Sequence, residues 1–173
     1  MKHITLRRGL FLAVLLLFTS SIVLNFFLYS QVQQYKVWLH IVELDPLGLS
    51  YFDDSPVAKP ADSSKTVVFY GDSRAAQWPS PTVNGFWFMN RGIGSQTTAQ
   101  VTSRFDEHIA PLEPDIIVLQ VGINDLKTVT LFPQQQTEII SNCEGNILRI
   151  IHDAGHSNSI VIVSTIFPVG NAP

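Results

Sequence analysis

The feature that most constrains this chain is a run of 20 residues without a formal charge, Leu10 to Tyr29 (LFLAVLLLFTSSIVLNFFLY). At about 1.5 Å of rise per residue, such a helix matches a hydrocarbon core of roughly 30 Å. The run is apolar on every side, whereas a helix on a soluble core carries a single apolar stripe. It therefore reads as a membrane span. Lys2, Arg7 and Arg8 precede it; only Lys36 follows closely, with Glu43 and Asp45 soon after. That asymmetry predicts a cytoplasmic N-terminus over residues 1–9, a transmembrane anchor over 10–29 and the rest of the chain outside the cytoplasm. Cleavage as a secretory signal near Thr19-Ser20-Ser21 is the alternative and would give a secreted protein, although Ile22 to Tyr29 extends the apolar run beyond that site.

The anchor accounts for a mean hydropathy of +0.20 in a chain of 173 residues, of which only 14% are charged. The formal net charge is −3; without Lys2, Arg7 and Arg8 the count is 8 basic against 14 acidic residues, or −6. An acidic exported part lacks the basic stripe that nucleic acid requires. It also lacks the polybasic patch that would hold it to anionic headgroups. Membrane attachment is thus expected through the N-terminal helix alone. The single cysteine, Cys143, excludes an internal disulfide framework and a cysteine zinc cluster. No histidine pair shows metal-ligand spacing with a third partner, so neither a metal nor a cofactor is expected.

Beyond the anchor, Gln31 to Val42 continues the helix or forms a stalk, and Asp45-Pro46-Leu47-Gly48 breaks it. Residues 53–65 (DDSPVAKPADSSK) read as a linker, so that 30–65 form stalk and linker and a domain begins near Thr66. From there short apolar runs alternate with helical patterns. Strands are expected at 66–70, 85–90, 115–120 and 159–167. Helices are expected at 73–77, at 97–108 with Val101, Phe105 and Ile109 facing one way, and at 133–152 with Cys143 buried on its apolar face. Gly155 should close the last helix. This order predicts an α/β fold: a three-layer, doubly wound, flavodoxin-like parallel sheet covered on both faces. Ligands of such folds bind at the carboxyl ends of the strands. The run SIVIVSTIF at 159–167 is long, apolar and uncharged, which suits a central strand and not an edge. The domain at 66–173 is accordingly expected to be a C-terminally incomplete fragment.

Three polar motifs follow three successive strands. They are Gly71-Asp72-Ser73, the segment 90–98 (NRGIGSQTT), and Gly122-Ile123-Asn124-Asp125. All should meet at one rim. A serine, backbone N–H groups of a glycine-containing loop and an asparagine amide together suit acyl transfer. Each motif has a plainer local reading, as turn, phosphate loop or helix cap. A dinucleotide site is disfavoured because Thr97 stands where the third fingerprint glycine belongs.

These residues (VVFYGDSRAAQW, NRGIGSQTT and VGINDL) resemble the first three sequence blocks of the GDSL/SGNH hydrolase superfamily, over roughly 66–125. The resemblance implies a serine esterase or lipase-type hydrolase of acyl or O-acetyl esters. Ser73 would be the nucleophile and Asn124 a side-chain oxyanion donor. The backbone donor of the second block falls on Ser95, with Gly94 adjacent, where the family has glycine. Asp72 would hold the turn. Substrates would be small-molecule, lipid or glycan esters, with no nucleic acid and no cofactor. The alternatives are an O-acetyltransferase of envelope polysaccharide and a non-catalytic envelope binding or assembly module. The family's general base sits in a late D-x-x-H block, expected beyond Pro173, so this fragment by itself should be inactive. Asp153-Ala154-Gly155-His156 has that spacing but precedes the fourth strand. A strand of six residues spans about 20 Å, which puts His156 at the rim opposite Ser73. Arg74 is expected to contact an anionic substrate group or pair with a carboxylate. Trp78, Phe86 and Trp87 are expected in the core.

Overall fold

The structure, a computed structural model, describes residues 2–52, 60, 62 and 65–165. Most of the expected linker at 53–65, and the end of the chain from 166, lie outside the described residues. The chain divides into two compact units, with the boundary between Leu44 and Asp45.

The first unit is one helix, α1 (Lys2–Leu44), long and apolar enough to cross a membrane. The charge-free run forms its middle, and the continuation past Tyr29 is helical too. Its polar side chains turn back on the helix. Thr19 Oγ1 donates to the carbonyls of Leu15 (3.0 Å) and Leu16 (2.9 Å), and Asn25 Nδ2 to that of Ser21 (2.8 Å). Such internal pairing lets a polar group sit in an apolar surround without an orphaned donor.

The second unit is an α/β domain. Its strands are β1 (Lys65–Gly71), β2 (Phe86–Gly92), β3 (Ile116–Gln120) and β4 (Ile160–Val163). All pairings are parallel, in the order β2-β1-β3-β4. The flavodoxin-like order and the doubly wound class follow the sequence pattern. The order reverses between β1 and β3, which places the ligand crevice of such folds at their carboxyl ends. One face is closed by α3 (Thr98–Ser103), α4 (Phe105–His108) and α6 (Gln136–His156). There Val68, Tyr70, Met89, Ile117 and Leu119 of the sheet pack against Val101, Phe105, Ile109, Ile150 and Ala154.

Several expectations need correction. The helix expected over 97–108 is broken at Arg104, whose φ of −104° and ψ of 11° leave the helical region while its side chain turns inward. The last helix does not end at Gly155; it runs to His156, and Asn158 takes the left-handed turn with φ 55°. Its buried stripe is Cys143, Ile150 and Ala154, with Ile140 exposed. The second sheet face is not covered throughout. Its helix α2 (Ser73–Ala76) is a single turn, and Ile160 and Ile162 on β4 are 63% and 51% exposed. For the same reason Trp78 and Phe86 are not core residues; they stay 47% and 38% exposed, and Trp78 tilts against buried Phe69 at 5.1 Å. Trp87, on the better covered face, does pack against the core.

The segment 45–52, read from the sequence as part of the stalk, forms two tight turns inside the second unit. Asp45 organises them. Its carboxylate accepts from the Leu49 N–H (2.8 Å), the Ser50 N–H (2.9 Å) and the Ser50 hydroxyl (2.7 Å). The Ser50 hydroxyl is the largest of the influences that hold the Asp45 carboxyl below its usual pKa.

Candidate active site

The three polar motifs meet at the carboxyl ends of β1, β2 and β3. Gly71 closes β1 with φ 144°, and a Cβ there would lie 1.8 Å from the Gln120 carbonyl of β3. Only glycine fits that approach. The chain then turns through Asp72, which caps α2 by accepting from the Arg74 N–H (2.9 Å). Asp72 is fully buried. Its Oδ2 has no hydrogen-bond partner among the described residues, and burial pushes its pKa up. Ser73 is thereby the first residue of α2, half-buried at the rim.

The end of β2 is fastened under the same turn. Asn90 Nδ2 donates to the Ala75 carbonyl (2.7 Å), while Asn90 Oδ1 accepts from the Gly92 N–H (2.9 Å). A Cβ on Gly92 would approach Ala76 N to 2.2 Å, so the strand end and α2 touch through backbone alone. The loop 93–97 then passes over Ser73. A Cβ built on Gly94 would lie 4.0 Å from the Ser73 Cβ. Ser95 takes φ 65°, in the left-handed region. That conformation costs a non-glycine residue about 1–2 kcal/mol, and a glycine loses more chain entropy on folding. Ser95→Gly is therefore expected to raise stability by about 0.5–1 kcal/mol, read as a higher urea midpoint at unchanged m-value. An unchanged or lower midpoint would show that Ser95 is not strained.

Asn124 comes from α5 (Ile123–Thr128), whose N-cap Gly122 has φ 112°. Its Nδ2 donates to the main-chain carbonyl of Gln96 (2.8 Å). One N–H of the amide pins the 93–97 loop, and the other has no partner among the described residues. Asp125 does not cap its own helix. It accepts from the Thr98 N–H (2.9 Å) and the Thr98 hydroxyl (2.6 Å), and so caps α3. Ser73, Gly94, Ser95 and Asn124 are thus brought to one rim.

Beneath them lies Arg104, which the sequence reading passed over. It is fully buried. It donates to the carbonyl of Gly71 (3.0 Å), the carbonyl of Arg91 (2.9 Å) and Gln96 Oε1 (2.6 Å). Its guanidinium lies 4.5 Å from the Tyr70 ring centroid. Burial pushes its pKa down to about 10, which leaves it cationic at neutral pH. A signal for it was present: Val101, Arg104, Phe105 and His108 follow the i, i+3, i+4, i+7 spacing of one buried helical stripe.

The histidines of the second unit have other neighbours. His108 is buried, with Nε2 at 3.0 Å from the Leu49 carbonyl and Nδ1 at 3.4 Å from Arg104 Nη1. The tautomer that donates from Nε2 satisfies both contacts, and burial first of all holds its pKa down. His40 lies on α1 beside Glu43. His152 and His156 stand exposed on α6, with Asp153 close enough that their ligand atoms fall within 4.8 Å of one another. This trio corrects the expectation that no histidine pair has a third partner. It lies before β4, at the amino ends of the strands, away from Ser73. Arg74 has no carboxylate ion pair among the described residues, against one of the two expectations for it.

A parallel sheet in this order, with a serine after β1, a tight loop after β2 and an asparagine after β3, is the α/β arrangement of the GDSL/SGNH fold, and the chain has that fold. One solved structure supports this, and two others are similar. A GDSL-like lipase from Bacteroides thetaiotaomicron VPI-5482 superposes with a TM-score of 0.51 at 27% identity, over 68% of this chain and 56% of that one. A Bacteroides fragilis NCTC 9343 structure described as an acylhydrolase gives 0.47 at 28%, over 63% and 51%. A mutant acetylxylan esterase from Geobacillus stearothermophilus gives 0.48 at 17%, over 61% of each chain. The chain spans about half the length of the two Bacteroides structures. No family model and no curated protein matches it.

Proposed function

We propose that the protein is an ester hydrolase with Ser73 as its nucleophile, held by α1 in a membrane with the α/β domain outside the cytoplasm. The reading is carried by one observation: the Ser73 turn, the Gly94-Ser95 loop and the Asn124 amide share a rim, and the loop is pinned to Asn124 through the Gln96 carbonyl. The likeness to a GDSL-like lipase at 27% identity supports it. The excess of Lys2, Arg7 and Arg8 before the span supports the topology.

In this reading Ser73 Oγ attacks the ester carbonyl carbon. The carbonyl oxygen gains the negative charge and is held by the N–H groups of Ser73 and Ser95 and by the free N–H of Asn124. Collapse breaks the bond to the alcohol, which leaves with a proton. Water then cleaves the acyl-serine, releasing the acid and restoring Ser73. A serine hydroxyl at its own pKa is a weak nucleophile. Its proton passes to a general base, which returns it to the departing alcohol. The substrate is a small-molecule, lipid or glycan ester.

The test is covalent labelling of the intact protein, in detergent, with a fluorophosphonate probe. Peptide mapping is expected to find the adduct on Ser73, and Ser73→Ala to abolish it. Undiminished labelling of Ser73→Ala would reject Ser73 as the nucleophile.

A further inference from the structure

We infer that the segment 45–52, which directly follows the membrane helix, is a working part of the site: a strap that holds the oxyanion loop in place, with Gln96 as the positioning residue that joins the two. The inference rests on the hydrolase reading for its catalytic meaning, but its geometry stands by itself.

The strap grips the loop on both sides of Gly94 and Ser95. Gly48, at φ 71°, lies so close that an added Cβ would meet Ile93 Cδ1 at 2.9 Å and Gln96 Nε2 at 3.0 Å. Gln96 is buried, and both ends of its side-chain amide are engaged. Nε2 donates to the Leu47 carbonyl (2.7 Å), Oε1 accepts from Arg104 Nε (2.6 Å), and its main-chain carbonyl accepts from Asn124 Nδ2 (2.8 Å). One residue therefore links the strap, the buried cation and the asparagine. Further contacts fix the strap along its length. Gln100 Nε2 donates to the Pro46 carbonyl (2.6 Å), and His108 Nε2 lies 3.0 Å from the Leu49 carbonyl. Phe52 packs edge-on against His108 (5.1 Å) and under the Arg91 guanidinium (4.5 Å).

The arrangement is more than a tether needs. A flexible linker leaves its backbone to water. Here the carbonyls of Pro46, Leu47 and Leu49 are each matched to a side chain near the rim. An oxyanion donor works only if it is already placed where charge develops, and a shift of about 1 Å can cost on the order of 10²-fold in rate. Glycine at 48 allows the approach, and the carboxylate of Asp45 keeps the turn shaped for it.

Two variants of the intact protein in detergent separate the strap from the core. Gln96→Glu keeps the acceptor for Arg104, which holds the new carboxylate ionised, but removes the donor to Leu47. Gly48→Val pushes the strap off Gln96 and leaves every site residue unchanged. Both are expected to speed backbone amide exchange over 93–97 by about 10-fold, as loss of one protecting hydrogen bond would. Both should also lower kcat for p-nitrophenyl acetate by about 10-fold or more, with KM within about twofold. The double variant should be little worse than either one, because both break the same contact. Wild-type kcat and exchange in Gln96→Glu would overturn the inference, as would faster exchange without a fall in kcat. If the wild-type protein hydrolyses no ester and takes no probe, the hydrolase reading fails. The exchange data then decide the strap's hold on the loop by themselves.

Discussion

Asn124→Ala is expected to lower kcat for ester hydrolysis by about 10²–10³-fold, with KM changed little. The amide is half-buried, and one of its N–H groups is fixed on the Gln96 carbonyl at 2.8 Å. That bond locks the rotamer, so the second N–H has a set direction and pays no reorganisation when negative charge develops. An interaction of this kind is made in the transition state and hardly at all in the ground state, which is why its loss falls on kcat and not on KM. Alanine also removes the pin on the loop, which should cost about 0.5–1.5 kcal/mol of stability. Urea unfolding beside the kinetics separates the two effects. Asn124→Asp is the sharper variant, because a carboxylate can donate neither to the Gln96 carbonyl nor to an oxyanion. A kcat within about twofold of wild type in both variants would remove Asn124 from the chemistry and leave it only as a loop pin.

How far the sequence reaches is clearest at particular residues. The strand runs at 66–70 and 115–120 are continuous and apolar, as buried parallel strands must be, and their motifs fall at one rim because all strands run the same way. Period and turn chemistry were enough for that. They were not enough for Arg104 or Gln96. A charged residue at 104 looks like the polar side of a helix until the i+3 relation to Val101 puts it on the buried stripe with Phe105 and His108. Its partners are the Gly71 and Arg91 carbonyls and the Gln96 side-chain oxygen, and no local pattern announces such acceptors. The strap is a similar case. Asp-Pro-Leu-Gly is a breaker by its residue types, yet nothing in that signal tells whether the turn is solvated or docked. The docking depends on Gln96, Gln100 and His108, some 50 residues further on. Ser95 lies between these cases. Its departure from glycine was visible in the motif, but the positive φ it must adopt belongs to the loop geometry.

Arg104→Met should carry the largest stability cost, about 3–5 kcal/mol, in line with uncovering buried partners of a charge. Methionine nearly fills the space, so little of the loss comes from a cavity. The loss comes from what is left behind. The Gly71 and Arg91 carbonyls and Gln96 Oε1 lose the donors that reach them at 3.0, 2.9 and 2.6 Å. The Gly71 carbonyl keeps the Ile93 N–H at 3.0 Å, but each lost bond to a charged donor costs about 1.5–3 kcal/mol, and Gln96 Oε1 is left without a partner among the described residues. These acceptors sit at the end of β1, near the end of β2 and in the 93–97 loop, so one side chain ties together the three pieces that converge on Ser73. Arg104→Lys is not expected to rescue. A single ammonium cannot present donors in three fixed directions as the planar guanidinium does, and it also loses most of the stacking on Tyr70 at 4.5 Å. Urea unfolding is the direct measurement, with a loss below about 1 kcal/mol in Arg104→Met counting against this account. Because the same cation holds Gln96 from one side while the strap holds it from the other, the variant should also accelerate exchange over 93–97 even where the rest of the sheet remains protected. That local signature separates a specific tie at the rim from a general loss of packing.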